Sequence, residues 1–147
     1  MADKSFIGRV IGGGQTEVEK GRLRFFAKAT GQADPIYTEE SAARDAGHPA
    51  LPVPPTFLVC LSSEVLDSIV LVQRLELDLN RILHAEQAFT YHRMAYAGDT
   101  LSFETKVADV YDKKGGALLF VVTETRATNQ KGEHVADLRG TLVERKA

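Results

Sequence analysis

Pro55-Thr-Phe-Leu-Val-Cys-Leu-Ser-Ser-Glu-Val-Leu-Asp-Ser-Ile69 begins just after a proline and sets Phe57, Leu58, Leu61, Val65, Leu66 and Ile69 at helical spacing. That period predicts one largely buried helix, a central element rather than a surface one. Immediately upstream, Pro49, Pro52, Pro54 and Pro55 fix φ and remove amide donors, so 47–56 reads as a rigid extended loop. Further upstream, Leu23, Phe26 and Ala27 fall at helical spacing between Gly21 and Thr30, with Gly31 as a stop. A second short helix is predicted from Thr38, read as a hydroxyl N-cap, to Gly47.

Downstream of Leu83 the pattern becomes strand-like over 83–93, 100–111, 117–128 and 134–144. Ala97-Gly-Asp99, Lys113-Lys-Gly-Gly116 and Asn129-Gln-Lys-Gly132 are turn compositions suited to hairpins, which predicts an antiparallel meander. A buried helix with an antiparallel sheet long enough to curl around it is an α+β domain, here a single one over 1–147. Gly12-Gly-Gly14 lacks the Lys-Ser/Thr of a phosphate loop and reads as a flexible connector.

The 147 residues are 44% hydrophobic and 26% charged, with formal charge −2 and a sequence pI near 6.1. Acids and bases are interspersed, so neither nucleic acid nor a membrane surface is an expected partner. Cys60 is the lone cysteine, which allows no internal disulfide and suits a reducing compartment. Met1–Gly8 has no signal-like hydrophobic stretch, and no apolar run approaches the roughly 20 residues of a membrane helix, so a cytoplasmic protein is expected. No His, Asp, Glu and Cys group has metal-ligand spacing along the chain, and no metal is expected.

Phe26-Ala-Lys-Ala-Thr-Gly-Gln-Ala-Asp-Pro-Ile-Tyr-Thr-Glu-Glu40, Gly47 and Leu51-Pro-Val-Pro-Pro-Thr-Phe57 resemble the MaoC-like dehydratase N-terminal domain family. His84-Ala-Glu-Gln87, Tyr91-His-Arg93 and Ala97-Gly-Asp-Thr-Leu101 resemble its later signatures. The resemblance implies a hot-dog fold: a long central helix wrapped by a curled antiparallel sheet, paired with a second such domain to bind acyl-CoA or acyl-carrier thioesters. A coenzyme A thioester would be substrate, and no cofactor is implied. Relatives that are (R)-specific enoyl-CoA hydratases carry Asp and His within Gly-Asp-x-Asn-Pro-x-His, a base and an acid for moving one water across a double bond.

In this chain that pattern falls on Gly31-Gln-Ala-Asp-Pro-Ile-Tyr37, so Gln32 stands at the Asp position and Tyr37 at the His position. Gln32 cannot take a proton, and an unperturbed tyrosine at about 10 is a poor base at neutral pH. Asp34 is either a base displaced to a neighbouring position or the start of an Asp-Pro turn. Tyr37 either donates to a substrate oxygen or seals the loop against the central helix. His84 and Glu86, two apart on a strand, share a face, with His92 at the same parity; they are either an acid/base pair or a structural pair. His48 and His134 read as solvated. Pro55, Thr56 and Phe57 would bind substrate, the Thr56 and Phe57 amides opening the central helix toward a thioester oxygen.

These residues favour an acyl-thioester binding subunit of hydratase/dehydratase type, its catalysis supplied by a partner, as homodimer or heterodimer. The alternatives are a self-sufficient hydratase or thioesterase using Asp34 or His84/Glu86, and a non-catalytic ligand-binding domain. At least a dimer is expected, because a curled sheet with long outer strands leaves edges to cover.

Overall fold

The sheet is antiparallel and five-stranded in the computed structural model, which describes residues 2–146; the two outermost positions of the expected 1–147 span lie outside the described residues. Its strands are β1 (Val10–Glu17), β2 (Ile82–Tyr91), β3 (Thr100–Lys113), β4 (Leu118–Thr128) and β5 (His134–Arg145), in the order β1-β3-β4-β5-β2. The last four lie where the alternation put them. The meander is confined to β3-β4-β5. Ala97-Gly98-Asp99 is not a hairpin turn, because β2 lies at the far edge beside β5. That segment instead bonds to the end of β1, with Val18 N donating to Asp99 O and Gly98 N to Val18 O, and it launches β3 alongside β1.

β1 replaces the expected flexible connector. Gly12, Gly13 and Gly14 pair with Thr105, Glu104 and Phe103 of β3. Their lack of side chains is a packing requirement: a Cβ on Gly13 would lie 2.4 Å from the Phe103 carbonyl oxygen, and one on Gly12 2.7 Å from a Leu66 methyl. At Gly13 the contact is with backbone and only glycine fits, whereas at Gly12 the end of the Leu66 side chain could shift.

Among the described residues there are also four α-helices, α1 (Lys20–Ala29), α2 (Glu40–Asp45), α3 (Phe57–Val65) and α4 (Ser68–Arg74), and three single 3-10 turns. α1 ends as expected before Gly31, whose φ of +70° is left-handed. α2 starts later than expected and Thr38 does not cap it; Thr38 closes the preceding Pro35–Tyr37 turn and Glu39 is the N-cap.

The expected single helix over 55–69 is two. Leu66 is extended (φ −136°, ψ 93°), and Asp67 caps a new start, its Oδ1 accepting from the Ile69 and Val70 amides at 2.7 and 3.4 Å. An aspartate N-cap competes with helix continuation, and its bonds to the following amides stabilise the break by about 1 kcal/mol. Ile69 is consequently exposed, while Leu66 turns inward near Gly12.

Phe57, Leu58 and Leu61 of α3 pack with Leu23 and Ala27 of α1 against Leu101, Phe103, Ala127, Ala136 and Leu138 of the sheet. A second cluster joins Val72 and Leu75 to Val107, Val110, Leu119 and Val121. The helices therefore ride on one sheet face. Among the described residues, no helix is long and apolar enough to cross a membrane.

Candidate functional site

The turn at 31–37, which aligns with the Asp/His pattern of the resembled hydratases, is folded on itself. Gln32 Oε1 accepts from the Asp34 amide at 3.1 Å, and Asp34 Oδ1 accepts from the Ile36 amide at 3.1 Å. The Tyr37 amide donates to Asp34 O at 3.2 Å. Asp34 is thus an exposed Asp-Pro turn residue that caps Pro35–Tyr37, with no acid or base beside it in the turn. Tyr37 is half-buried.

The helix start departs from the expected open pair of amides. Thr56 is left-handed (φ +71°) and its amide donates to the Tyr91 hydroxyl at 2.9 Å. The Phe57 amide donates to Pro54 O at 3.1 Å. Neither amide faces the cavity described below. Within this chain they are spent on the proline turn and on a β2 side chain rather than left open as expected.

A cavity of about 230 Å³ lies between the α3–α4 break and the sheet. Val59, Ser62, Ser63, Leu66, Ser68, Leu71 and Val72 form its helical side. Its floor is built from cross-strand rows: Thr105, Thr125 and Leu138; Thr123, Gly140 and Gln87; then Leu142 and His84. Thr105 and Thr125 hydroxyls bond each other at 2.8 Å, while Ser62 and Ser63 donate back to Val59 O. Gly140 lines the same space, and a Cβ there would point toward Thr123 Oγ1 and Gln87 Oε1 in ordinary contact, at 3.4 and 3.5 Å.

His84 is the one titratable side chain of this lining, and Glu86 is outside it. The strand parity that paired His84 with Glu86 is broken by a bulge: His84 faces Leu142, but Glu86 already faces Thr141, leaving Ala85 as the extra residue. An added residue shifts the alternation by one, so His84 shares its face with Gln87 instead. His84 and Glu86 therefore do not stand side by side as simple alternation suggests.

A second register shift does the same on β5. Ala127 pairs with Ala136 but Thr128 with His134, which makes Val135 the extra residue and puts His134 on the face of Asp137. His134 is therefore not simply solvated. His134 Nε2 and His92 Nε2 each lie 2.8 Å from a different Asp137 oxygen, and the two rings pack 4.1 Å apart. Burial raises the Asp137 carboxyl, but the bonds from His92 and His134 outweigh it and hold it below the usual range. The chain therefore brings together three potential ligands that show no motif spacing. His48 is likewise engaged, 3.4 Å from the Tyr96 hydroxyl.

A helix layer on one face of this five-stranded antiparallel sheet is the hot-dog fold of MaoC-like dehydratases. A MaoC-like dehydratase from Rhodospirillum rubrum superposes with a TM-score of 0.72 at 22% identity, over 96% of this chain and 93% of that one. The chain belongs to the family described as FAS1-like, dehydratase domain region, whose profile matches residues 5–138. A UPF0336 protein of Saccharopolyspora erythraea is 38% identical over 144 residues, 97% of this chain and 91% of that one. A chain of the HadBC (3R-hydroxyacyl-ACP dehydratase) complex from Mycobacterium tuberculosis superposes with a TM-score of 0.79 at 28% identity, covering 94% of this chain and 96% of that one.

Proposed function

We propose that this chain is the acyl-lodging subunit of a dehydratase/hydratase acting on 3-hydroxyacyl or 2-enoyl thioesters, and that a second hot-dog subunit supplies the acid and base. The observation that carries this reading is the separation of parts. A cavity is present, but Gln32, Asp34 and the Thr56 and Phe57 amides are all committed to bonds within the chain. Positioned proton transfer typically supplies 10²–10⁴-fold, and none of these groups offers it. The likeness to one chain of a complex whose name is 3R-hydroxyacyl-ACP dehydratase supports both the substrate class and the two-part assembly.

The edge strand β2 is where the partner would add. It contributes His84 and Gln87 to the cavity wall, and Leu83 and Tyr91 are about half exposed along it. An unpaired strand edge with apolar side chains is a surface that proteins cover. Pairing there closes the cavity and brings the partner's acid and base to its mouth.

Reconstitution tests the proposal. The chain is purified alone and together with a companion hot-dog subunit that carries Asp and His in the Asp-x-Asn-Pro-x-His pattern. Hydration of a trans-2-enoyl thioester is expected only with the companion present, and the companion's Asp→Asn variant is expected to silence the pair. A second reading, a self-sufficient enzyme, rests on His84 as the titratable group of the cavity; it predicts full activity from this chain alone and its loss in His84→Ala.

A further inference from the structure

We propose that His92, His134 and Asp137 form a binding site for a divalent transition metal of the zinc class, outside the acyl cavity. The one nitrogen or oxygen each residue offers lies within 4.8 Å of the other two. Zinc bonds imidazole nitrogen at about 2.0–2.1 Å and carboxylate oxygen at about 2.0–2.2 Å, so modest side-chain rotation brings all three onto one ion. Two imidazoles and one carboxylate are a donor set that suits zinc and its first-row neighbours.

The backbone under these residues is already ordered. Asp137 sits opposite Thr90 in the β2–β5 ladder, and the His92 and Arg93 amides both donate to Val135 O, at 2.9 and 3.1 Å. The Val135 bulge that receives those two bonds is the same feature that turns His134 toward Asp137. Both Nε2 atoms point at one carboxylate, one to each oxygen, before any ion arrives. Little ordering remains for a metal to impose. His92 and Asp137 are 39% and 42% exposed, which gives an ion a route in and leaves water to complete its shell.

None of the three residues lines the acyl cavity. An ion here would clip the end of β2 to β5. It would act on the edge strand's position rather than on the reacting thioester, and the measurable consequence is stability.

The test uses the untagged chain, metal-stripped, titrated with Co²⁺ and followed by its visible d–d spectrum, with Zn²⁺ then competing. One Co²⁺ per chain is expected, with the enhanced absorption of a low-coordinate protein site, displaced by Zn²⁺. A rise in the thermal midpoint with Zn²⁺ is expected and should reverse with chelator. His134→Gln and Asp137→Asn preserve shape, and each should weaken binding by at least about tenfold, as even lost outer-shell partners do. The exposed His92→Gln is the control should either fail to fold. The proposal is overturned if wild type shows only the spectrum of hydrated Co²⁺, or if folded variants bind as tightly as wild type. A Zn²⁺ stabilisation that survives all three substitutions overturns it as well.

Discussion

The turn at 31–37 and the cavity beneath the α3–α4 break have nearly opposite uses of polar groups. In the turn, Gln32 and Asp34 each accept from a neighbouring amide and so fix the local backbone. In the cavity, hydroxyl-bearing residues and His84 line about 230 Å³ of space with Gly140 in its floor. On the proposed reading, the turn shapes the chain and the cavity is the space for an acyl chain. The proposed function joins the two: a dehydratase fold that lodges substrate here and takes its proton-transfer groups from a partner.

Gly140 is the position where a single side chain would alter the cavity most. Gly140→Leu should fill the cavity and lower acyl-thioester affinity by about a hundredfold or more, since most of the chain's binding contacts would be displaced. Titration calorimetry with a short enoyl-CoA measures it, and circular dichroism should report an intact fold. Gln32→Asp combined with Tyr37→His turns the turn into the acid/base pattern of active relatives. Hydration by the chain alone should rise by about tenfold or more, less than the full 10²–10⁴-fold because the surrounding bonds are not built for it. Asp34→Ala sharpens the comparison from the other side. Losing one cap bond should cost about 0.5–1 kcal/mol in urea unfolding while leaving thioester affinity and the reconstituted rate unchanged.

The strands and α1 were legible because alternation, helical period and turn residues all agreed there. β1 was not, since three glycines carry no side chains to alternate; what they pack against, the Phe103 carbonyl and Leu66, is distant in sequence. The break at Leu66 hid because Leu66 and Ile69 keep a helical period across Asp67, whose capping role depends on the local backbone. Bulges leave no trace in the residue pattern. Ala85 and Val135 look like ordinary strand residues, yet each shifts a face by one position. They separate His84 from Glu86 and join His134 to Asp137. The expected departure at Gln32 and Tyr37 rests on residue identity against the resembled pattern, and the backbone of the turn adds nothing to it.

The central claim, lodging without chemistry, is tested most directly by measuring binding and turnover on one sample of the isolated chain. A short trans-2-enoyl-CoA should bind saturably, and its hydration in a single-turnover assay should be at least about a hundredfold slower than by the reconstituted pair. Hydration by the chain alone at the rate of the pair would contradict the account, and so would an absence of thioester binding.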